Sequence, residues 1–259
     1  MPPPGRADRP TMTARITPSA GAQAPVASDE TAPRHDDAEP PDRRRRPRTM
    51  KPADFRTRKL PDDLRAAGVF VNLNGDYRYL TDGYYRSMEA EHEGQFALPS
   101  PDEAIDAYVV PLALVKAEAA GLPVPPWEIA NDTTVSFPPP FLCYPVNPFQ
   151  NSGTLISDPA ALAEEVKSLT MSGKYAMVCQ QLPPDSRVDT LRLVLGRCLK
   201  PEYRELAEKL WQVFHIPIAR VKVIVTQTQY LFSAIEPLEK EELTQNEKAI
   251  VKEAGLWRA

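Results

Sequence analysis

Histidine is scarce in this chain, with three residues in 259, and so is cysteine, also with three. His35 falls in the N-terminal stretch, which leaves His92 and His215 and little material for acid–base work by imidazole. His92 stands between Glu91 and Glu93, as on a solvated helix face, and His215 follows an amphipathic stretch, where it suits a charge partner at a helix C-terminus. Cys143, Cys179 and Cys198 form no Cys-x-x-Cys pair and each lies in or beside an apolar run, so buried reduced thiols are expected and no metal site is. No Walker loop, Gly-x-Gly-x-x-Gly turn, His-Glu-x-x-His helix or Gly-x-Ser-x-Gly elbow is present. No run approaches the roughly 18 apolar residues of a membrane span, and the N-terminus has no apolar signal core. A cytoplasmic protein without a membrane partner is expected. The net charge is only -4 and the acidic excess falls in the folded part, which argues against a nucleic-acid partner.

Proline is plentiful instead, with 29 residues, and it divides the chain. Residues 1–58 combine Pro, Ala and Arg with almost no large apolar side chains. They cannot offset the roughly 1–2 kcal/mol per residue that ordering costs, so a disordered tail is expected. Its run Arg43-Arg44-Arg45-Arg46-Pro47-Arg48 reads as a solvated linker, with contact to a polyanion or a nuclear address as the alternative. Translation is expected to begin at or near Met50. Residues 59–259 carry the apolar material for a single α/β or α+β domain, a mixed sheet covered by helices, with a proline-rich middle at 122–149.

Within that domain, Gly68–Leu73 reads as a buried strand closed by Asn74-Gly75-Asp76, and a helix capped at Thr81 or Asp82 runs to Gly94. Phe96–Leu98 reads as a strand and Pro101–Gly121 as a long helix that Pro111 kinks or divides. A short strand is expected at Phe141–Tyr144 and a helix from Pro159 behind the Ser157-Asp158 cap. Strands at Tyr175–Leu182 and Thr190–Leu195 suit a hairpin or wide turn. A striped helix from Pro201 to Phe214, a hairpin of Val221–Thr226 with Tyr230–Ile235, and a helix capped by Thr244 with Glu247 complete six or seven strands and five helices.

The densest set of polar and aromatic residues is Asn72 to Tyr85, at the carboxyl end of the first strand, where open α/β sheets bind ligands. Asn72, Tyr77, Arg78, Tyr79, Tyr84 and Tyr85 are the candidate binding residues. Arg78 can take a carboxylate through a two-pronged hydrogen bond, or serve as a structural ion-pair partner. The strand from Asp189 through Arg192 to Gly196 resembles the Asp/Arg/Val/Gly strand of ATP-grasp ligases. Such a ligase also needs a nucleotide-binding lysine pair and a late Glu-x-Asn for magnesium. The nearest late residue is Glu236, with no Asn two positions on, so a complete catalytic unit does not fit. Asp189, Arg192 and Glu236 are the weaker candidates.

Val71-Asn-Leu73, Tyr77-Arg-Tyr79, Gly83-Tyr-Tyr85, Ser87, Ala90 and Pro99-Ser100 together resemble the domain found at the N-terminus of RimK-like ATP-grasp ligases. Looser motifs, Leu195-Gly196, the Tyr203–Phe214 stretch, Ile216–Val221 and Ile235–Leu238, are similar to how that domain ends, and residues 123–188 are not aligned with it. The resemblance implies an accessory role, either recognising an amino-acid or peptide-like ligand or docking a separately encoded ATP-grasp ligase. It transfers no catalytic residue. No cofactor is then expected. ATP and magnesium enter only under the alternative of a divergent carboxylate–amine ligase, and a third reading is a protein-interaction domain built on the proline-rich middle.

Overall fold

The computed structural model describes Leu64 and residues 68–147, 149–150 and 152–256. The expectations for the tail, its arginine run and the translation start lie outside these residues. The domain is mixed α/β. Its first unit is β1 (Phe70–Val71), α1 (Asp82–His92) and β2 (Ala97–Leu98), with β1 and β2 parallel. Thr81 caps α1 by accepting from the Tyr84 N–H. The expected long helix is two, α2 (Pro101–Tyr108) and α3 (Val110–Ala119), with Val109 extended between them. Pro111 has no N–H and fits a helix only in its first turn, so the chain must restart there.

The strands that follow fall into two further sheets among the described residues. Strands β3 (Trp127–Ala130), β4 (Phe141–Pro145), β5 (Thr154–Ile156) and β6 (Met177–Gln181) form an antiparallel sheet in the order β3-β6-β4-β5, and α4 (Pro159–Leu169) covers one face. Strands β7 (Arg187–Val194), β8 (Ile218–Val225) and β9 (Tyr230–Glu236) form the third sheet in chain order. Between β7 and β8 runs α5 (Arg204–Phe214), entered through a single 3-10 turn at Pro201–Tyr203, and α6 (Gln245–Glu253) closes the chain behind its Thr244–Glu247 capping box. The hairpin of β8 and β9 is as expected. The hairpin of β6 and β7 is not: β6 pairs with β3 and β4, and β7 pairs with β8, so the Pro183-Pro184 segment connects two sheets.

The main core lies where these layers meet. Leu206, Ala207, Leu210, Val213 and Phe214 give α5 one apolar face, and each fully buried Leu or Phe there contributes roughly 1.5–3 kcal/mol. Leu142, Tyr144 and Val178 bring the second sheet into the same core. A buried seam ties the two sheets together. The Tyr144 and Ser233 hydroxyls are 2.8 Å apart, Ser233 Oγ donates to Gln180 Oε1 at 2.6 Å, and Gln180 Nε2 donates to the Ser233 carbonyl at 3.0 Å. His215 ends α5 in the left-handed region and is buried, its Nδ1 2.8 Å from Glu103 Oε1. It therefore pairs with the N-terminus of α2 and does not sit on the surface. No described helix is long and apolar enough to cross a membrane.

Candidate functional site

The loop from Asn72 to Thr81 leaves the carboxyl end of β1 and feeds α1, and its shape is set by internal hydrogen bonds. Asn72 is 2 % exposed. Its Nδ2 donates to the Gly83 carbonyl at 2.6 Å and to Ser87 Oγ at 3.0 Å, while Oδ1 accepts from the Asn74 N–H at 3.1 Å. Tyr77 is fully buried and donates its hydroxyl to the Asn72 carbonyl at 2.7 Å, and burial pushes its phenol pKa far up. These two residues build the loop and have no surface left for a ligand.

Arg78 is also engaged. Nε and Nη2 donate to the two oxygens of Asp76 at 2.9 and 2.6 Å, and Nη1 donates to the Phe149 carbonyl at 2.9 Å. The bond to Asp76 raises the guanidinium pKa further. Glu239 stands close by, and its pKa is raised by burial and then by the negative charges of Asp76, Glu241 and Glu242. With Asp76 already cancelling Arg78, the local field does not favour a bare carboxylate. The geometry is that of the ion-pair alternative for Arg78.

The remaining tyrosines face outward. Tyr79 is 41 % exposed and Tyr85 42 %, and the half-buried ring of Tyr84 makes edge contacts with both, at 5.2 and 6.1 Å between centroids. Burial, more than its tyrosine neighbours, raises the Tyr84 phenol pKa. Beneath Tyr79 lies an apolar cavity of about 260 Å³ lined by Tyr79, Ala104, Ile105, Tyr108 and Val109. The residues from α2 and its C-terminus carry no signature in sequence beyond the apolar spacing of a helix. The Tyr108 hydroxyl and Asn147 Nδ2 are buried without a hydrogen-bond partner among the described residues. Both belong to the Arg78 neighbourhood. Asn147 Oδ1 accepts from the N–H of Phe149, whose carbonyl holds Arg78, and the Tyr108 phenol feels the charges of Asp76, Arg78 and Glu239.

The weaker candidates do not converge. Asp189 and Arg192 differ by three positions on β7 and so point to opposite faces of the sheet. Asp189 accepts from Lys200 Nζ at 2.9 Å and from the Tyr203 hydroxyl at 2.7 Å, and these two bonds pull its pKa down to about 2. A carboxylate with a depressed folded pKa contributes stability that is complete above its unfolded value of about 3.9 and is lost as pH falls through the folded value. Asp189→Asn should therefore flatten the loss of thermal stability between about pH 4 and pH 2. Melts followed by circular dichroism would check this, and an unchanged slope would remove Asp189 from the acid response.

On the other face, register aligns Arg192, Arg220 and Glu236 across β7, β8 and β9, with Thr190 and Lys222 in the adjacent row. Each of three carboxylates near this face meets a cation. Glu247 takes Arg192 Nε and Nη2 at 2.7 and 2.9 Å, Glu242 takes Arg220 at 3.1 Å, and Glu236 lies 3.5 Å from Lys222 Nζ. Among the described residues no group of three His, Cys, Asp or Glu side chains could hold a metal ion. The strands of the β3-β6-β4-β5 sheet also carry no Lys or Arg. Magnesium at Glu236, Glu242 or Glu247 would have to displace these ion pairs. The alternation of Arg220 and Lys222 within the apolar β8 was the sequence signal for this charged face.

No curated protein matches the chain. Among solved structures, D-alanine–D-alanine ligase from Helicobacter pylori is 14% identical, with 73% of each chain covered at a TM-score of 0.52, and it shares the fold. A RimK domain ATP-grasp protein from Sphaerobacter thermophilus is 16% identical over 66% of this chain and 74% of its own, at a TM-score of 0.49. The family match leaves out the stretch from Asn72 to Ser100, takes in the looser C-terminal motifs, and starts past the proline-rich middle, within the residues 123–188 that the resemblance left unaligned. Residues 154–254, from β5 through α6, match the family model described as the RimK-like ATPgrasp N-terminal domain.

Proposed function

We propose that this chain is an accessory module of the ATP-grasp ligase kind that recognises an amino-acid or peptide-like ligand through the tyrosine face above α2. The observation that carries this reading is the 260 Å³ apolar cavity with Tyr79 exposed at its rim. Its size is a little under the roughly 300–1,000 Å³ of drug-sized sites, which suits one apolar side chain better than a nucleotide. Exposed Tyr79, Tyr85 and Met88 widen the apolar surface around it. The ligand enters by its side chain, and Arg78 stays with Asp76. Docking of a separately encoded ligase that presents such a side chain would use the same surface.

The fold shared with the Helicobacter pylori enzyme supports a second reading, a divergent ATP-dependent carboxylate–amine ligase. Titration calorimetry of the full chain separates the two, with Mg-ATP in one series and amino acids and short peptides with aromatic or aliphatic side chains in another. Heat with the peptides is expected, and Tyr79→Ala should weaken it by about tenfold, worth about 1.4 kcal/mol. Heat with Mg-ATP would replace the accessory reading by the ligase. Silence in both series would move the function to a protein partner.

A further inference from the structure

Cys143 on β4 and Cys179 on β6 are register partners in the middle of the second sheet, and their Sγ atoms lie 3.0 Å apart. Both are free thiols with no exposed surface. Directly opposed antiparallel residues have Cα atoms about 4.5–5.5 Å apart, inside the roughly 4.4–6.8 Å span of disulfides. The register therefore places the two residues within reach of a bond.

We propose that Cys143 and Cys179 are a thiol–disulfide site, closed over by α4 and oxidised by exchange with a small-molecule disulfide of the glutathione class. One Cys thiolate attacks the small disulfide, forming a mixed disulfide and releasing one small thiolate. The second Cys thiolate then attacks the protein sulfur of that mixed disulfide and releases the second. Two protein thiols and one small disulfide thus give one intrachain disulfide and two small thiols, with the two electrons passing to the small disulfide.

The surroundings explain why the pair stays reduced while the domain is shut. Phe141, Ile156, Leu162, Leu169 and Met177 pack with the two thiols. Contact with Cys179 and then burial push the Cys143 thiol pKa far up, and thiolate is the reactive form. Entry therefore requires opening. Helix α4 buries only Leu162 and Leu169 fully, so lifting it uncovers this small cluster while the main core stays intact. Asp158 caps α4 by accepting from the Ala161 N–H at 2.9 Å, on the exposed side. Losing that cap favours the opening.

The test uses the full chain in a Cys198→Ser background, because Cys198 is half-buried and would form adducts of its own. After incubation with oxidised glutathione, intact-mass analysis should read the loss of two hydrogens with no glutathione retained, reversed by dithiothreitol. Cys143→Ser in the same background should stop at a single glutathione adduct. If that variant does not fold, Cys179→Ser serves instead. Asp158→Ala should speed closure by about fivefold, the effect of losing a cap on the opening equilibrium. Retention of both thiols over a time that fully oxidises a urea-unfolded sample would overturn the proposal. So would a chain carrying two glutathiones, and a closure rate unmoved by Asp158→Ala would overturn entry through α4.

Discussion

Replacing Gly75 by alanine should be among the most damaging single changes in the domain, because this residue is confined twice over. Its φ of +93° lies in a region that L residues rarely adopt. Holding a side-chain-bearing residue there costs roughly 1–3 kcal/mol. Its carbonyl accepts from the Leu238 N–H at 3.2 Å, and a Cβ would drive into the Leu238 carbonyl and the Glu239 backbone. Such an insertion against main chain costs roughly 1–3 kcal/mol more, since no flexible side chain can give way. Together they are a large part of the 5–15 kcal/mol that holds a typical domain folded. Urea unfolding of Gly75→Ala should show a midpoint well below that of the parent, with calorimetric binding at Tyr79 impaired in the molecules that remain folded. A parent-like midpoint would mean that the loop and the 237–239 segment are not locked together, and the account of the Asn72–Tyr85 loop would go with it.

The turn that Gly75 makes was legible as Asn74-Gly75-Asp76, and so were the elements with strong local signals. Thr81, Asp158 and Thr244 cap helices because short polar side chains can reach the free N–H groups of a first turn, a local chemistry visible in any sequence; Ser100 does the same for α2 and was not singled out. The apolar stripe of α5 was visible for the same reason. What escaped is non-local. Strands β3 and β5 are short, border proline or polar segments, and gain their strand character only by pairing with β6 and β4. The separation of β6 and β7 into different sheets follows from partners more than twenty residues away in sequence, which no turn signal between them could reveal.

The site divided along the same line. The Asn72–Tyr85 cluster stands out by composition, and it does lie at the carboxyl end of β1. Composition cannot tell a residue that builds a loop from one that faces solvent. Asn72 and Tyr77 are spent on the backbone, Arg78 on Asp76, and only Tyr79, Tyr84 and Tyr85 reach the outer face. The cavity needed α2 to be placed beneath Tyr79 before Ile105 and Val109 could become site residues. Likewise Glu247, recognisable in sequence as a capping residue, proves also to be the carboxylate that holds Arg192.

That second role makes Arg192→Ala the other change of large effect. The Glu247 side chain is 3 % exposed, and Arg192 grips both of its oxygens while donating also to the Glu242 carbonyl. Burial by itself would raise the Glu247 pKa, but the bonds from Arg192 and from the Thr244 N–H and hydroxyl outweigh it and hold the value down. In the parent this contribution is therefore complete above the ordinary carboxylate value of about 4.3 and is lost as pH falls through the lower folded value. Removing Arg192 leaves a buried carboxylate with its main partner gone, a loss of about 3–5 kcal/mol when such pairs are fully buried. The carboxylate then escapes part of that cost by taking up a proton more readily, since Arg192 no longer holds its pKa down against burial. The stability gap between variant and parent should accordingly widen as pH rises from about 4 to 7. Arg192→Lys keeps the charge without the two-pronged grip and should fall between them. Chemical unfolding of all three proteins at several pH values would decide the matter. A gap independent of pH would show that Arg192 stabilises α6 through packing of its stem and not through the charge of Glu247.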